Sequence, residues 1–120
     1  MVVSNIASVD DACRDQGVFE RLFQINEQVM KQSGIEHGIC IASITNRAAQ
    51  RVYLKAGMQV CGVIPGGELS QNERGDHQFV PDVYFYKFIN GGDRKLISEA
   101  NWDLEPEVAE FIKRQKGPLV

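Results

Sequence analysis

The stretch GICIASITNRAAQRVYLKAGM, residues 38–58, decides how the chain is read. Gly38 to Ile44 is a compact apolar run of strand length. Thr45 or Asn46 then offers a side-chain cap for a helix. On that helix Ala48, Val52 and Ala56 share one face beside Ala49 and Tyr53, and Gly57 stands where a left-handed residue ends it. Taken alone, the segment describes a strand and a small helix with Tyr53 packed in a core.

Working outward, residues 18–34 predict a longer helix. Val18, Leu22, Ile25 and Val29 fall three and four apart, shadowed by Phe19, Phe23 and Met30, and Ser33–Gly34 supplies the stop. Val2 to Val9 is short and rich in small and β-branched residues, so it predicts a first strand. A strand, a helix and a second strand joined this way predict a parallel pair with a right-handed crossover. On the carboxyl side, Met58 to Ile64 predicts a third strand, broken at Pro65–Gly66–Gly67. Residues 68–78, ELSQNERGDHQ, are polar and unpatterned and predict an exposed loop. Val83 to Ile89 predicts a strong strand, with Tyr84, Tyr86 and Phe88 on one face and Val83 and Phe85 on the other. Beyond Gly91–Gly92 the pattern predicts a weak helix near Asp93 to Ala100. A better one runs from Pro106 to about Lys113, striped by Val108, Phe111 and Ile112. The expected fold is α/β: a mixed sheet of four strands, two helices and a helical tail.

Composition bounds the function. The 120 residues predict a single domain, and 43% apolar with 24% charged residues is ordinary globular usage. Thirteen basic against sixteen acidic residues leave a net charge of −3, without the basic excess of a general nucleic-acid binder. No run approaches the roughly 18 apolar residues of a membrane span, and the first residues do not have the form of a secretory signal. Cys13, Cys40 and Cys61 show no close pairing. Cys40 and Cys61 sit in apolar strand-like runs that predict buried free thiols and a cytosolic location. His37 and His77 lack metal-ligand spacing, so no metal is expected.

One further segment carries chemistry. ACRDQGVFERL, residues 12–22, places Arg14 and Gly17 in a turn between a strand and a helix. Unpaired amides at a helix start, aided by the helix dipole, attract phosphate, and glycine allows close approach. A glycine there is also ordinary turn chemistry.

In this order and separation the two segments resemble the GNAT family of N-acetyltransferases. The family's pyrophosphate motif, Arg/Gln-x-x-Gly-x-Gly/Ala, falls on Arg14, Asp15, Gln16, Gly17, Val18 and Phe19. Its later signature, Asn-x-x-Ala-x-x-x-Tyr-x-x-x-Gly-Phe, falls on Asn46, Ala49, Tyr53, Gly57 and Met58. The resemblance covers about residues 2–90. It implies an acyl-CoA-binding domain over residues 1–90, with residues 91–120 a helical tail packing on the same domain.

The resemblance also implies roles. Amides of Gln16, Gly17, Val18 and Phe19, with Arg14 nearby, would hold the coenzyme A pyrophosphate. Ala7, Ser8 and Val9 would pair with the pantetheine arm of acetyl-CoA, and Asn46 would touch it. Tyr53 would be the general acid for the leaving thiolate. The acceptor would be an amine of a small molecule or peptide. Phe19 departs from the family's small residue and predicts a bulkier helix start. The resembling first strand is the family's fourth, so the N-terminal strands of the family fold are not expected here. That leaves Val2 to Val9 as an apolar edge, and the expected remedy is a homodimer. The implied function is transfer of acetyl from acetyl-CoA to an amine. The alternative is a catalytically silent module that binds coenzyme A or a protein partner.

Overall fold

A computed structural model describes residues 2–3 and 17–116. In chain order the elements are β1 (Val2–Val3), α1 (Val18–Gln32), β2 (His37–Ser43), α2 (Arg47–Lys55), β3 (Gln59–Gln71), β4 (His77–Phe88) and α3 (Pro106–Lys116), with short 3-10 turns at Gly92–Lys95 and Glu99–Asn101. The strands form one mixed sheet in the order β1-β2-β4-β3. β1 runs parallel to β2, pairing Val2 with His37 and Val3 with Gly38. β4 inserts antiparallel between β2 and β3. The four-stranded mixed sheet expected from the sequence is therefore present. Of the first strand, residues 4–9 lie outside the described residues.

α1 and α2 lie on one face of the sheet. The connections β1-α1-β2 and β2-α2-β3 step across the sheet in the same direction, and right-handed crossovers then put their helices on the same side. Ala42, Val83 and Phe85 from the strands, Ala49 and Tyr53 from α2, and Met58 beyond it form the buried core, against which Phe19, Phe23, Cys40 and Val52 pack. Phe85 is the most completely enclosed, at 1% exposure. Lys87 fastens the helices to β4: its ammonium lies 3.0 Å from Glu27 Oε2 on α1 and donates to the Ala56 carbonyl at the end of α2.

Helix ends follow their local signals. Asn46 caps α2, its Oδ1 accepting from the Ala49 amide at 3.1 Å. The Met58 amide reaches back to the Tyr53 carbonyl beyond Gly57, and Ile35 does the same to Met30 beyond Gly34.

Three expectations are corrected. α1 does not present Leu22, Ile25 and Val29 to the sheet: they are 45–53% exposed. Phe19, Phe23 and Met30 face inward instead, because two aromatic rings and a methionine fill the space over β2 and β4 better than the aliphatic stripe. Residues 68–78 are not a loop. β3 continues through Pro65–Gly66–Gly67, with a register shift between Ile64 and Glu68, and pairs with β4 out to Gln71 opposite His77. The turn closes on Asn72, whose Oδ1 accepts from the Arg74 and Asp76 amides at 2.9 and 3.0 Å. Cys61, expected to be buried, is exposed at a second shift between Val60 and Gly62; a bulged residue loses its place in the inward alternation.

The face of the sheet opposite the helices carries His37, Tyr86 and Phe88. Their rings are 4.9 Å (His37–Phe88) and 6.1 Å (Tyr86–Phe88) apart, and the Tyr86 hydroxyl donates to Gln59 Oε1 at 2.6 Å. Among the described residues no helix is long and apolar enough to cross a membrane.

Candidate active site

α1 and α2 both begin on the side of the sheet where β2 ends. α2 follows β2 directly. α1 returns to the start of β2 through residues 33–36, and its 15 residues span about 22 Å, close to the length of β2. Two helix starts, Gly17 and Asn46, thus share the carboxyl edge of a parallel strand pair, where α/β sheets gather ligands.

Gly17 is the N-cap of α1, with φ 73° and ψ 11°. This left-handed backbone suits glycine, and open space surrounds the position a Cβ would take. The first helical bond runs from the Arg21 amide to the Gly17 carbonyl at 3.0 Å. The amides of Val18, Phe19 and Glu20 precede it and have no acceptor within the helix. The bulk of Phe19 points away from this edge, its ring lying 6.0 Å from that of Tyr53. The one acidic residue in the first turn, Glu20, is offset by Lys55 at 3.6 Å. A glycine-capped helix start with such donors can hold an anion. Arg14 and Gln16, and the strand residues Ala7, Ser8 and Val9, lie outside the described residues.

Tyr53 sits at the centre of an aromatic cluster, 5.2 Å from Phe23 and 5.3 Å from Phe85. Its ring is buried, at 8% exposure. Its hydroxyl has no hydrogen-bond partner among the described residues. Burial, with a smaller contribution from Cys40, pushes the Tyr53 phenol up to about 12. Burial, then Glu27, pushes the Cys40 thiol up to about 11. The pair therefore holds two protons through neutral pH. A phenol in this state can give a proton to a nearby anion and cannot act as a base.

Asn46 spends its Oδ1 on the cap and leaves its amide NH2 to donate elsewhere. Behind it, Gln50 Nε2 donates to the carbonyls of Ser43 and Ile44 at 3.1 and 3.2 Å and fixes the turn from β2 into α2. No group of three or more potential metal ligands occurs among the described residues.

The sequence reading passed over the polar groups on the opposite face at this edge. Ser43 Oγ and Thr45 Oγ1 are 2.9 Å apart, and Asp82 of β4 pairs with Ser43 across the sheet. An acidic residue after proline inside a β-rich run, at 81–82, was the available signal.

No family model matches the sequence, and no curated protein matches it. Solved structures do match. A GNAT-family acetyltransferase from Streptococcus pneumoniae is 22% identical, covering 68% of this chain and 47% of its own, with a TM-score of 0.58. NAA60 of Arabidopsis thaliana, in complex with a bisubstrate analogue, is 28% identical over 70% of this chain and 46% of its own, with a TM-score of 0.54. The microcin C7 self-immunity acetyltransferase MccE, in complex with acetyl-CoA and AMP, is 16% identical over 68% of this chain and 43% of its own, also with a TM-score of 0.54. The chain spans about half the length of the acetyltransferases it matches. It carries part of the GNAT acetyltransferase fold.

Proposed function

We propose that this protein binds acetyl-CoA at the start of α1 and transfers its acetyl group to an amine. The observation that supports the reading is that α1 and α2 begin at the same edge of the sheet, at Gly17 and Asn46, and that the Tyr53 ring packs 6.0 Å from Phe19 in the first turn of α1. Likeness to acetyltransferases solved with acetyl-CoA or a bisubstrate analogue supports it.

In the reaction the amine nitrogen attacks the thioester carbonyl, a C–N bond forms and the C–S bond breaks. The amine releases a proton to solvent and the departing thiolate takes one up from Tyr53. The chain's residues divide this work. Amides of Gln16, Gly17, Val18 and Phe19, with Arg14, neutralise the pyrophosphate. Ala7, Ser8 and Val9 would pair with the pantetheine arm, and Asn46 donates its amide to the cofactor. Tyr53 supplies the proton to the leaving sulfur. From a phenol at about 12 to a thiolate near its ordinary 8.5, that transfer is uphill by roughly 5 kcal/mol in isolation. It therefore proceeds together with C–S cleavage, as the amine's own proton departs.

The same proposal includes a cytosolic location and a two-fold homodimer through β1, which is outermost among the described strands of the sheet. Release of free thiol from acetyl-CoA, followed with a panel of primary amines and amino-terminal peptides, tests the activity. Amine-dependent release supports the transferase. Coenzyme A binding without release against any amine leaves the silent binding module.

A further inference from the structure

We infer that Asp82, with the hydroxyls of Ser43 and Thr45, forms the seat for the ammonium group of the acceptor. The inference rests on the acetyltransfer reading, and it names the class of molecule the site receives: a primary amine that arrives as a cation and gives up one proton to solvent before it attacks.

Asp82 stands directly opposite Ser43 in the β2–β4 ladder. Directly opposed residues project from the same face, with Cβ atoms about 5 Å apart. That face is the one the helices leave open. Ser43 is the last residue of β2, so the pair sits at the carboxyl edge shared by Gly17 and Asn46.

The carboxylate is partly buried, and it makes no hydrogen bond or ion pair with a described residue. An aspartate inside a strand disfavours β structure, so its place in the ladder contributes nothing obvious to the fold. Beside it, Ser43 Oγ and Thr45 Oγ1 lie 2.9 Å apart. An alkylammonium donates three hydrogen bonds and accepts none. One carboxylate and two hydroxyls are the acceptors it requires, and the negative charge selects a cation over a neutral amide or alcohol.

The backbone opposite is shaped around this carboxylate. A Cβ at Gly67 would come within 2.5 Å of Asp82 Oδ2 and 2.7 Å of its Cγ. Gly67 lies in the register shift of β3 between Ile64 and Glu68. Bulges of this kind re-aim side chains next to functional sites. Here the irregular backbone and the missing side chain together leave room for the Asp82 carboxylate.

The test uses propylammonium chloride as the probe and propanol as its neutral counterpart, in nuclear magnetic resonance titrations of the full chain. Propylammonium is expected to shift the amide resonances of Ser43, Thr45 and Asp82, and propanol to leave them in place. Asp82→Asn keeps the side-chain size and is expected to weaken the ammonium response about tenfold to a hundredfold. Gly67→Ala crowds the carboxylate without removing it, and is expected to weaken the response as well. Equal responses to propylammonium and propanol, or a wild-type response in Asp82→Asn, would overturn the assignment. These readouts need no turnover, so they separate the seat from the reaction. Ammonium binding that depends on Asp82, without acetyl transfer, would refute the transferase and keep the amine site. Transfer with unchanged amine KM in Asp82→Asn would do the reverse.

Discussion

The ring of Tyr53 meets Phe85 edge-on, with 5.3 Å between centroids and 62° between planes. Phe85 is the most enclosed side chain of the core, so the proposed acid is built into the packing rather than displayed on a loop. Tyr53→Phe keeps that ring and removes only the hydroxyl. Thermal stability is expected to stay within about 1 kcal/mol of the parent, since the hydroxyl has no partner among the described residues. Turnover is expected to fall about a hundredfold to ten-thousandfold, with acetyl-CoA affinity unchanged. Full turnover in the variant would remove Tyr53 from the mechanism and leave it in the core.

Asn46 has two separable duties. Asn46→Ala loses the cap to the Ala49 amide and is expected to cost about 1 kcal/mol in denaturant unfolding. Asn46→Asp keeps the capping oxygen and removes the donating NH2. Its stability should match the parent while acetyl-CoA affinity falls. If affinity tracks stability across both variants, Asn46 is a cap and nothing more.

Cys40 and Tyr53 predict the alkaline limit of the fold. Both are neutral when protonated, and both are raised in the folded state, Cys40 from 9.0 to about 11 and Tyr53 from 10.0 to about 12. Above pH 9 the unfolded chain gives up these protons first. It then binds fewer protons than the folded chain, so stability falls as pH rises through the folded values. Urea midpoints between pH 8 and 12 should show this loss. Cys40→Val should move its onset toward pH 10, and a variant also carrying Tyr53→Phe should flatten the profile further. An unchanged profile in the double variant would assign the loss to other groups. In the parent at pH 8, the exposed Cys61 should alkylate well before the half-buried Cys40.

Much of the fold was legible because its signals are local. GICIASI is strand-length and apolar, Asn46 is a cap, and Gly34 and Gly57 end their helices. The helix face was harder. Residues 18–30 carry two apolar stripes with equally good spacing, and only packing against Phe85 and Tyr53 chooses the one bearing Phe19 and Phe23. The arm of β3 and β4 was hidden for another reason. Its strands pair with each other and bury little, so no apolar alternation marks them, and Leu69 and Phe79 face one another at 59% and 71% exposure. Asn72 and Gly75 were the remaining clue, since turn chemistry between two polar runs signals a hairpin as well as a loop. Of the candidate site, Gly17, Val18, Phe19, Asn46 and Tyr53 fall among the described residues. The seat at Asp82 escaped because it joins residues 43, 67 and 82, which only the β2–β4–β3 ladder brings together.

The central claim is that the start of α1 holds the pyrophosphate of acetyl-CoA. Titration calorimetry of the parent and of Gly17→Pro with acetyl-CoA tests it most directly. Proline cannot adopt the φ of 73° found at Gly17, and it removes an amide from the helix start. Circular dichroism establishes that the variant is folded before it is titrated. The expected result is saturable binding by the parent and none by the folded variant. Equal affinity in the two proteins, or no binding by the parent, would contradict the claim.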